Sequence, residues 1–191
     1  MEVLNLDHID SEREEIEDKI ISGQVFIYPT DTIYGLGCDA TNSEAVNFIR
    51  KLKNRDSKPF SIIAPSIKWI KENCVIGEKE EVWLGRLPGP ITLILNLKKD
   101  SCVAKEVNNG MKTIGVRIPD HGISGFISNL NIPVVTTSVN VSGGQNMVSL
   151  ECLDEDFKKN ISFCIYEGKK EGTPSTIIDL TGDEEKIIDR K

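Results

Sequence analysis

Tyr28–Ala40, YPTDTIYGLGCDA, follows the apolar run Val25-Phe26-Ile27, and its reading sets the fold class. Residues 24–29 read as a buried strand that Pro29 ends, because proline has no backbone donor for a ladder. Hydroxyls, a carboxylate, two tyrosines and two glycines are packed into the ten residues from Tyr28 to Gly37. Gly35 and Gly37 permit either backbone angles or close approaches that a side chain forbids. A polar loop at the C-terminal end of a buried strand is where open α/β sheets place their ligands. The loop is neither a Walker loop nor a dinucleotide fingerprint: YGLG lacks the third glycine and the later acidic partner.

Working outward, Ser11 with Glu14 forms a capping-box pattern for a helix that Gly23 ends. Downstream, Thr41 with Glu44 gives a second capping box, and Ala45, Val46, Phe48, Ile49 and Leu52 form the stripe of the following helix. FSIIA (60–64) reads as a strand, and residues 66–73 and 78–87 as helices. PGPITLILNL, TIGVRIP and PVVTTSVNVSGG are strand-like runs bounded by glycine or proline, followed by SFCIYEG, STIIDLTG and a terminal EEKIIDRK. Helices and strands alternate early and strands dominate later, so the expectation is one α/β domain over residues 1–191 built on a mixed sheet.

Composition narrows the function classes. The chain has 191 residues, 39% of them hydrophobic and 28% charged, with a formal net charge of −7. Its longest apolar run, near Ile91–Leu97, is far short of the ~20 residues that span a bilayer. Met1–Ser11 is acidic and mixed, unlike a signal peptide, so a cytoplasmic protein with no membrane partner is expected. Five cysteines without a C-x-x-C pair suit reduced thiols, and Cys38, with no histidine near it in sequence, reads as packing. Only His8 and His121 are available as imidazoles, which disfavours a transition-metal site. The negative charge argues against a surface coated for nucleic acid, so any polyanion site must be local.

Four constellations offer chemistry. Arg50, Lys51, Lys53, Arg55 and Lys58 crowd into nine residues. Lys53 and Arg55 would not share a face of a continuing helix, but a helix ending near Asn54 lets both turn toward one cleft. Arginine brings a planar fork for phosphate oxygens and lysine a mobile point charge; alternatively the cluster complements the helix dipole and faces water. In TTSVNVSGG (136–144), alternation puts Ser138 and Asn140 on one side, as oxygen-binding groups or as an Asx turn. Arg117 lies in the apolar strand TIGVRIP, so its partner is either a core carboxylate or a ligand's. PSTIID (174–179) opens a strand with hydroxyls. PGPIT (88–92) reads as a rigid turn whose Thr92 can face the same cleft.

Taken together, YPTDTIYGLG, KNR followed by KP, PGPIT, TIGVRIP, TSVNVSG and STIID, in that order over residues 28–179, resemble the YrdC-like family of threonylcarbamoyl-AMP synthases. The resemblance implies a twisted mixed sheet flanked by helices, with a large positively charged cleft. It implies a nucleotidyltransferase that joins L-threonine, bicarbonate and ATP into L-threonylcarbamoyladenylate with release of pyrophosphate. That product would feed N6-threonylcarbamoyladenosine formation beside the tRNA anticodon, through transient contact with a downstream transferase and tRNA. Carried over by motif, Lys53, Arg55, Ser138 and Asn140 match catalytic positions. Thr32, Arg117 and Ser175 match threonine-binding positions. Arg55, Lys58, Thr113, Ser138, Asn140 and Arg190 match nucleotide-binding positions. Mg2+ would arrive with ATP, with no metal site of the protein's own.

Three departures stand out. The chain between Arg55 and Lys58 is one residue shorter than the common family spacing and lacks the usual proline after the arginine. LPGP replaces an aromatic-PGP pattern. The sequence ends at Lys191 without the linker and second domain of longer members, so a more open site is expected. A reading of another class is a double-stranded RNA-binding or ribosome-assembly module using the same cleft. Carbamoyl transfer as in hydrogenase maturation is disfavoured by the lack of acylphosphatase and zinc-binding modules.

Overall fold

The apolar run before Pro29 forms β2 (Phe26–Tyr28), and its alternation assigns the two faces of the sheet. The computed structural model describes residues 1–9, 11–55, 57–98 and 102–188. In chain order the strands are β1 (Glu2–Asn5), β2, β3 (Gly35–Gly37), β4 (Ser61–Ile63), β5 (Ile91–Asn96), β6 (Thr113–Arg117), β7 (Val134–Ser138), β8 (Phe163–Tyr166), β9 (Thr176–Asp179) and β10 (Lys186–Ile188). The helices are α1 (Arg13–Ile21), α2 (Ser43–Leu52), α3 (Ile67–Asn73), α4 (Glu78–Leu84), α5 (Lys105–Asn108), α6 (Gly122–Leu130) and α7 (Glu155–Asn160). The strands join in the order β1-β8-β2-β3-β7-β4-β6-β5-β9-β10. β1–β8, β2–β8, β4–β6 and β5–β9 are parallel, and the other pairs are antiparallel. The mixed sheet expected from the element order is therefore the one formed.

Because strand side chains alternate between faces, Phe26 and Tyr28 enter a core with Ile16 and Ile20 of α1 and Ile123, Phe126 and Ile127 of α6. Ile27 enters the opposite core, with Val46 and Ile49 of α2, Ile70 of α3, Trp83 of α4, Val107 of α5 and Phe157 of α7. Helices on both faces leave the strand ends free to carry the loops that build the site.

Several local expectations are corrected. The GLG segment is a strand and not a loop: Gly35 and Gly37 lie in β3, paired to β2 on one side and to β7 on the other. A Cβ on Gly35 would lie 2.8 Å from the Tyr28 ring, and one on Gly37 would overlap the Val135 carbonyl oxygen. Close approach is thus the property these glycines supply, and it lets Tyr28 reach over β3 to donate to that same carbonyl at 3.0 Å. Neither predicted capping box forms. Ser11 donates to the His8 carbonyl instead, and α1 begins after Glu12 with no side-chain cap. α2 is capped by Asn42, whose side chain accepts from the Ala45 amide at 3.1 Å, while Thr41 is held by Asp39.

The edge strand β1 escaped the sequence reading because Leu4 is its one buried side chain. α6 escaped because GISGFISNL carries two glycines, Gly122 and Gly125, beside its buried stripe of Ile123, Phe126, Ile127 and Leu130. Gly37→Ala should destabilise by about 1–3 kcal/mol through overpacking, seen in thermal unfolding as a Tm lower by roughly 2–12 °C. An unchanged Tm would mean that β3 yields without cost.

Candidate active site

Two adjoining cavities open where the loops after β2, α2 and β7 meet, sharing Arg55, Lys58, Ser138 and Gly143. The larger, about 550 Å³, is also walled by Thr30, Thr32, Tyr34, Phe60, Thr92, Arg117 and Ser175. The smaller, about 220 Å³, adds Lys53 and Asn140. Lys53, Arg55, Lys58 and Arg117 line them, and no carboxylate does so among the described residues.

At the basic end, α2 stops at Leu52 and Asn54 takes a left-handed conformation, φ 48°, which turns the following residues out of the helix. Lys53 is 1% exposed. Its ammonium donates to the Ser138 carbonyl, to the Asn140 carbonyl at 2.7 Å and to Asn140 Oδ1 at 3.0 Å. Its own carbonyl accepts from the Ser142 amide at 3.1 Å. Lys53 therefore grips the end of β7 with main chain and side chain together. Ser138 Oγ donates to Asn140 Oδ1 at 2.7 Å, so the two residues predicted to share a side form one cluster, closed by a turn rather than by strand alternation. Arg55 donates to the Pro59 carbonyl at 2.6 Å and lies over the Phe60 ring, 5.0 Å from its centroid. Arg50 is a structural member of the run: its buried guanidinium donates to the carbonyls of Arg55, Lys58, Glu106 and Val107. Lys58 is exposed at the rim.

At the other end, Thr30 Oγ1 donates to the Ile33 carbonyl at 2.7 Å, which leaves the Thr32 hydroxyl to donate to Thr30 at 3.0 Å. Thr32 in turn accepts from Arg117 at 3.2 Å. The partner that Arg117 required is the Asp31 carboxylate; Arg117 is buried and Asp31 is partly buried. The second oxygen of Asp31 accepts from the Asp120 amide at 3.1 Å. Arg117 Nε, also buried, has no acceptor among the described residues. Ser175 and Thr92 pair their hydroxyls at 2.7 Å across the β5–β9 junction.

The predicted catalytic and threonine-binding residues thus gather on one cleft. Thr113 does not join them: it opens β6, four residues from Arg117, and lines neither cavity. Arg190 lies outside the described residues. Asp31 and Thr30 were missed by sequence reasoning, although an aspartate among the hydroxyls of YPTDT was the available partner for a buried arginine.

Removing one member of a buried ion pair typically costs about 3–5 kcal/mol, because the other is left uncompensated. Asp31→Asn should lower the urea-unfolding free energy on that scale, and adding Arg117→Met should restore part of it; a double variant no better than the single would place the cost elsewhere. A second prediction concerns Lys53, whose pKa burial, and then the charge of Arg55, lower to about 7. An unfolded lysine titrates near 10.4, so between these values the unfolded chain keeps a proton that the folded chain sheds, and stability rises with pH. Buried thiols such as Cys74 and Cys164, pushed up to about 12, act in the opposite sense once unfolded thiols ionise near 8.5. From pH 7 to roughly 8.5, the stability difference between the natural protein and Lys53→Met should grow by about 1–2 kcal/mol. A flat difference would show that the ammonium is not destabilised by its site.

A family model described as telomere recombination, for the Sua5/YciO/YrdC domain, matches residues 18–191. A Methanocaldococcus jannaschii protein provisionally named threonylcarbamoyl-AMP synthase is 34% identical over 180 residues, 92% of this chain and 82% of its own length. The threonylcarbamoyl-AMP synthase of Pyrococcus abyssi is 34% identical over 168 residues, 85% of this chain and 48% of that protein. The solved structure of P. abyssi Sua5 complexed with L-threonine superposes with a TM-score of 0.87 at 29% identity, covering 97% of this chain and 56% of that one. The chain therefore spans about half the length of the P. abyssi protein. Escherichia coli YciO, at 23% identity and a TM-score of 0.82, shares the fold. Model match, sequence identity and superposition agree, and the chain belongs to the Sua5/YciO/YrdC family.

Proposed function

We propose that this protein joins L-threonine, bicarbonate and ATP into L-threonylcarbamoyladenylate and pyrophosphate, the first step of N6-threonylcarbamoyladenosine modification of tRNA. The observation that carries the reading is a single cleft with two chemically different ends. One is walled by Thr32, Arg117 and Ser175, and the other by Arg55, Lys58, Ser138 and Asn140. Its larger cavity, about 550 Å³, lies within the ~300–1,000 Å³ of small-molecule sites. The P. abyssi relative whose structure holds L-threonine supports the first end as the amino-acid site.

In this reading the threonine carboxylate meets Arg117, whose unpaired Nε is the kind of buried donor that a ligand oxygen satisfies. The Thr32 and Ser175 hydroxyls face the amino acid. The threonine amine adds to the carbon of bicarbonate and water leaves, giving a carbamate. A carbamate oxygen then attacks the α-phosphorus of ATP as the bond to pyrophosphate breaks. No covalent nucleophile of the protein is needed, so the work is positioning and charge stabilisation. Arg55 and Lys58 supply cationic donors to the phosphates. Lys53 acts through its neighbours: with its ammonium spent on three oxygens, it holds Ser138 and Asn140 at the reacting end. The described lining offers hydroxyls and amides without a carboxylate, which fits a Mg2+ ion carried on the nucleotide's phosphates and keeping several waters. Bound there, the ion would offset phosphate charge.

Pyrophosphate release from ATP that requires both threonine and bicarbonate tests the reading. Arg55→Ala should lower turnover by roughly 10²–10³-fold, the scale of a lost transition-state donor. No threonine-dependent release, with tight binding of double-stranded RNA instead, would overturn the proposal in favour of an RNA-binding module.

A further inference from the structure

Tyr166 ends β8 and Thr176 begins β9, and the connection between them, residues 167–175, carries Pro174 and Ser175 into the wall of the larger cavity. This strap is pinned along its length. The Tyr34 hydroxyl accepts from the Glu167 amide at 3.2 Å and donates to the Gly168 carbonyl at 2.7 Å. The Lys170 amide donates to the Val148 carbonyl at 2.8 Å. At Gly172 the strap lies so close to the Thr32 peptide that a Cβ would overlap the Thr32 carbonyl oxygen. The strap and the Thr32 loop therefore share one contact surface, and movement of either is felt at the amino-acid end of the cleft.

One side chain ties the strap to the Arg117 loop. His121 lies four residues beyond Arg117, and its Nδ1 accepts from the Ile123 amide at 3.2 Å as the N-cap of α6. That bond puts the proton of the neutral ring on Nε2, which donates to the Glu167 carboxylate at 2.9 Å. The other Glu167 oxygen receives Lys170 at 2.7 Å. The His121 and Glu167 side chains are 13% and 24% exposed, so the bond is partly open to solvent. Between Arg117 and His121, the Asp120 amide donates to Asp31, the partner of Arg117. Three loops, after β2, β6 and β8, are thereby locked together around Thr32, Arg117 and Ser175.

We propose that His121 is a positioning residue for the amino-acid substrate: by latching Glu167 it holds the 167–175 strap against the Thr32 loop and sets the threonine end of the cleft. The proposal rests on the reading of that end as the threonine site. His121→Asn separates the two bonds of the ring, because asparagine is a favoured N-cap but is too short to reach Glu167. His121→Gln restores a donor of greater reach.

For His121→Asn the half-saturating threonine concentration should rise about tenfold, the scale of one charge-assisted hydrogen bond, with that for ATP changed by less than about twofold. The Tm should stay within about 4 °C, and amide hydrogen exchange should accelerate across 167–175. His121→Gln should recover part of both the threonine affinity and the protection. Unchanged exchange in the strap, or equal loss for threonine and ATP, would overturn the proposal. The exchange comparison needs no substrate. If the natural protein gives no threonine-dependent pyrophosphate, the assignment of the cleft fails, while faster exchange of 167–175 in His121→Asn still upholds the latch.

Discussion

The ammonium of Lys53 is the joint on which the site depends. It sits at the C-terminal cap of α2, buried, and donates to oxygens of Ser138 and Asn140 some 85 residues away in sequence. Three acceptors opposite three N–H groups offset only part of the cost of burying that charge, and burial still lowers the Lys53 pKa to about 7. That grip ties the turn after β7 to α2, in addition to the pairing of Ser138 with Gly35 of β3 and the bond from the Asn140 side-chain amide to the Gly144 carbonyl. The basic run thus divides its labour. Lys53 and Arg50 organise carbonyls beneath the cleft, whereas Arg55 and Lys58 face it.

The opposite end obeys the same rule with other partners. Arg117 is buried in β6 because Asp31 comes with it, and Asp31 is placed by the turn that follows Pro29. Each buried charge carries its counter-group or its carbonyls, so polar chemistry is held within a sheet that is apolar on both faces. The sheet supplies rigidity, and the loops at its strand ends supply function, as in other open α/β proteins.

Legibility in the sequence followed the range of the forces involved. β2, β4, β5, β6, β7, β8 and β9 are apolar runs punctuated by proline or glycine, and their existence follows from local pattern alone. The two capping boxes failed because a cap is a contest between neighbouring hydroxyls and amides: Asn42 won over Thr41, which Asp39 had already engaged. β3 read as part of a polar loop because its glycines are there for closeness to Tyr28, and that ring comes from another strand. Asp31 was passed over for a similar reason, since its partner lies 86 residues away.

By itself, then, the sequence determined a mixed α/β fold, the hydroxyl-rich loop after β2, the termination of α2 near Asn54 and the residue types available for anion chemistry. These depend on backbone donors, periodicity and glycine or proline freedom, which act within a few residues. Only the tertiary structure decided that Lys53 spends its charge on the β7 turn, that Arg117 is paired to Asp31, and that Thr113 stays outside the cleft. The same holds for YPTDTIYGLG, whose hydroxyls line the amino-acid end while its glycines serve strand packing. Those outcomes depend on which charges share a buried volume, and desolvation couples groups by distance in space rather than along the chain.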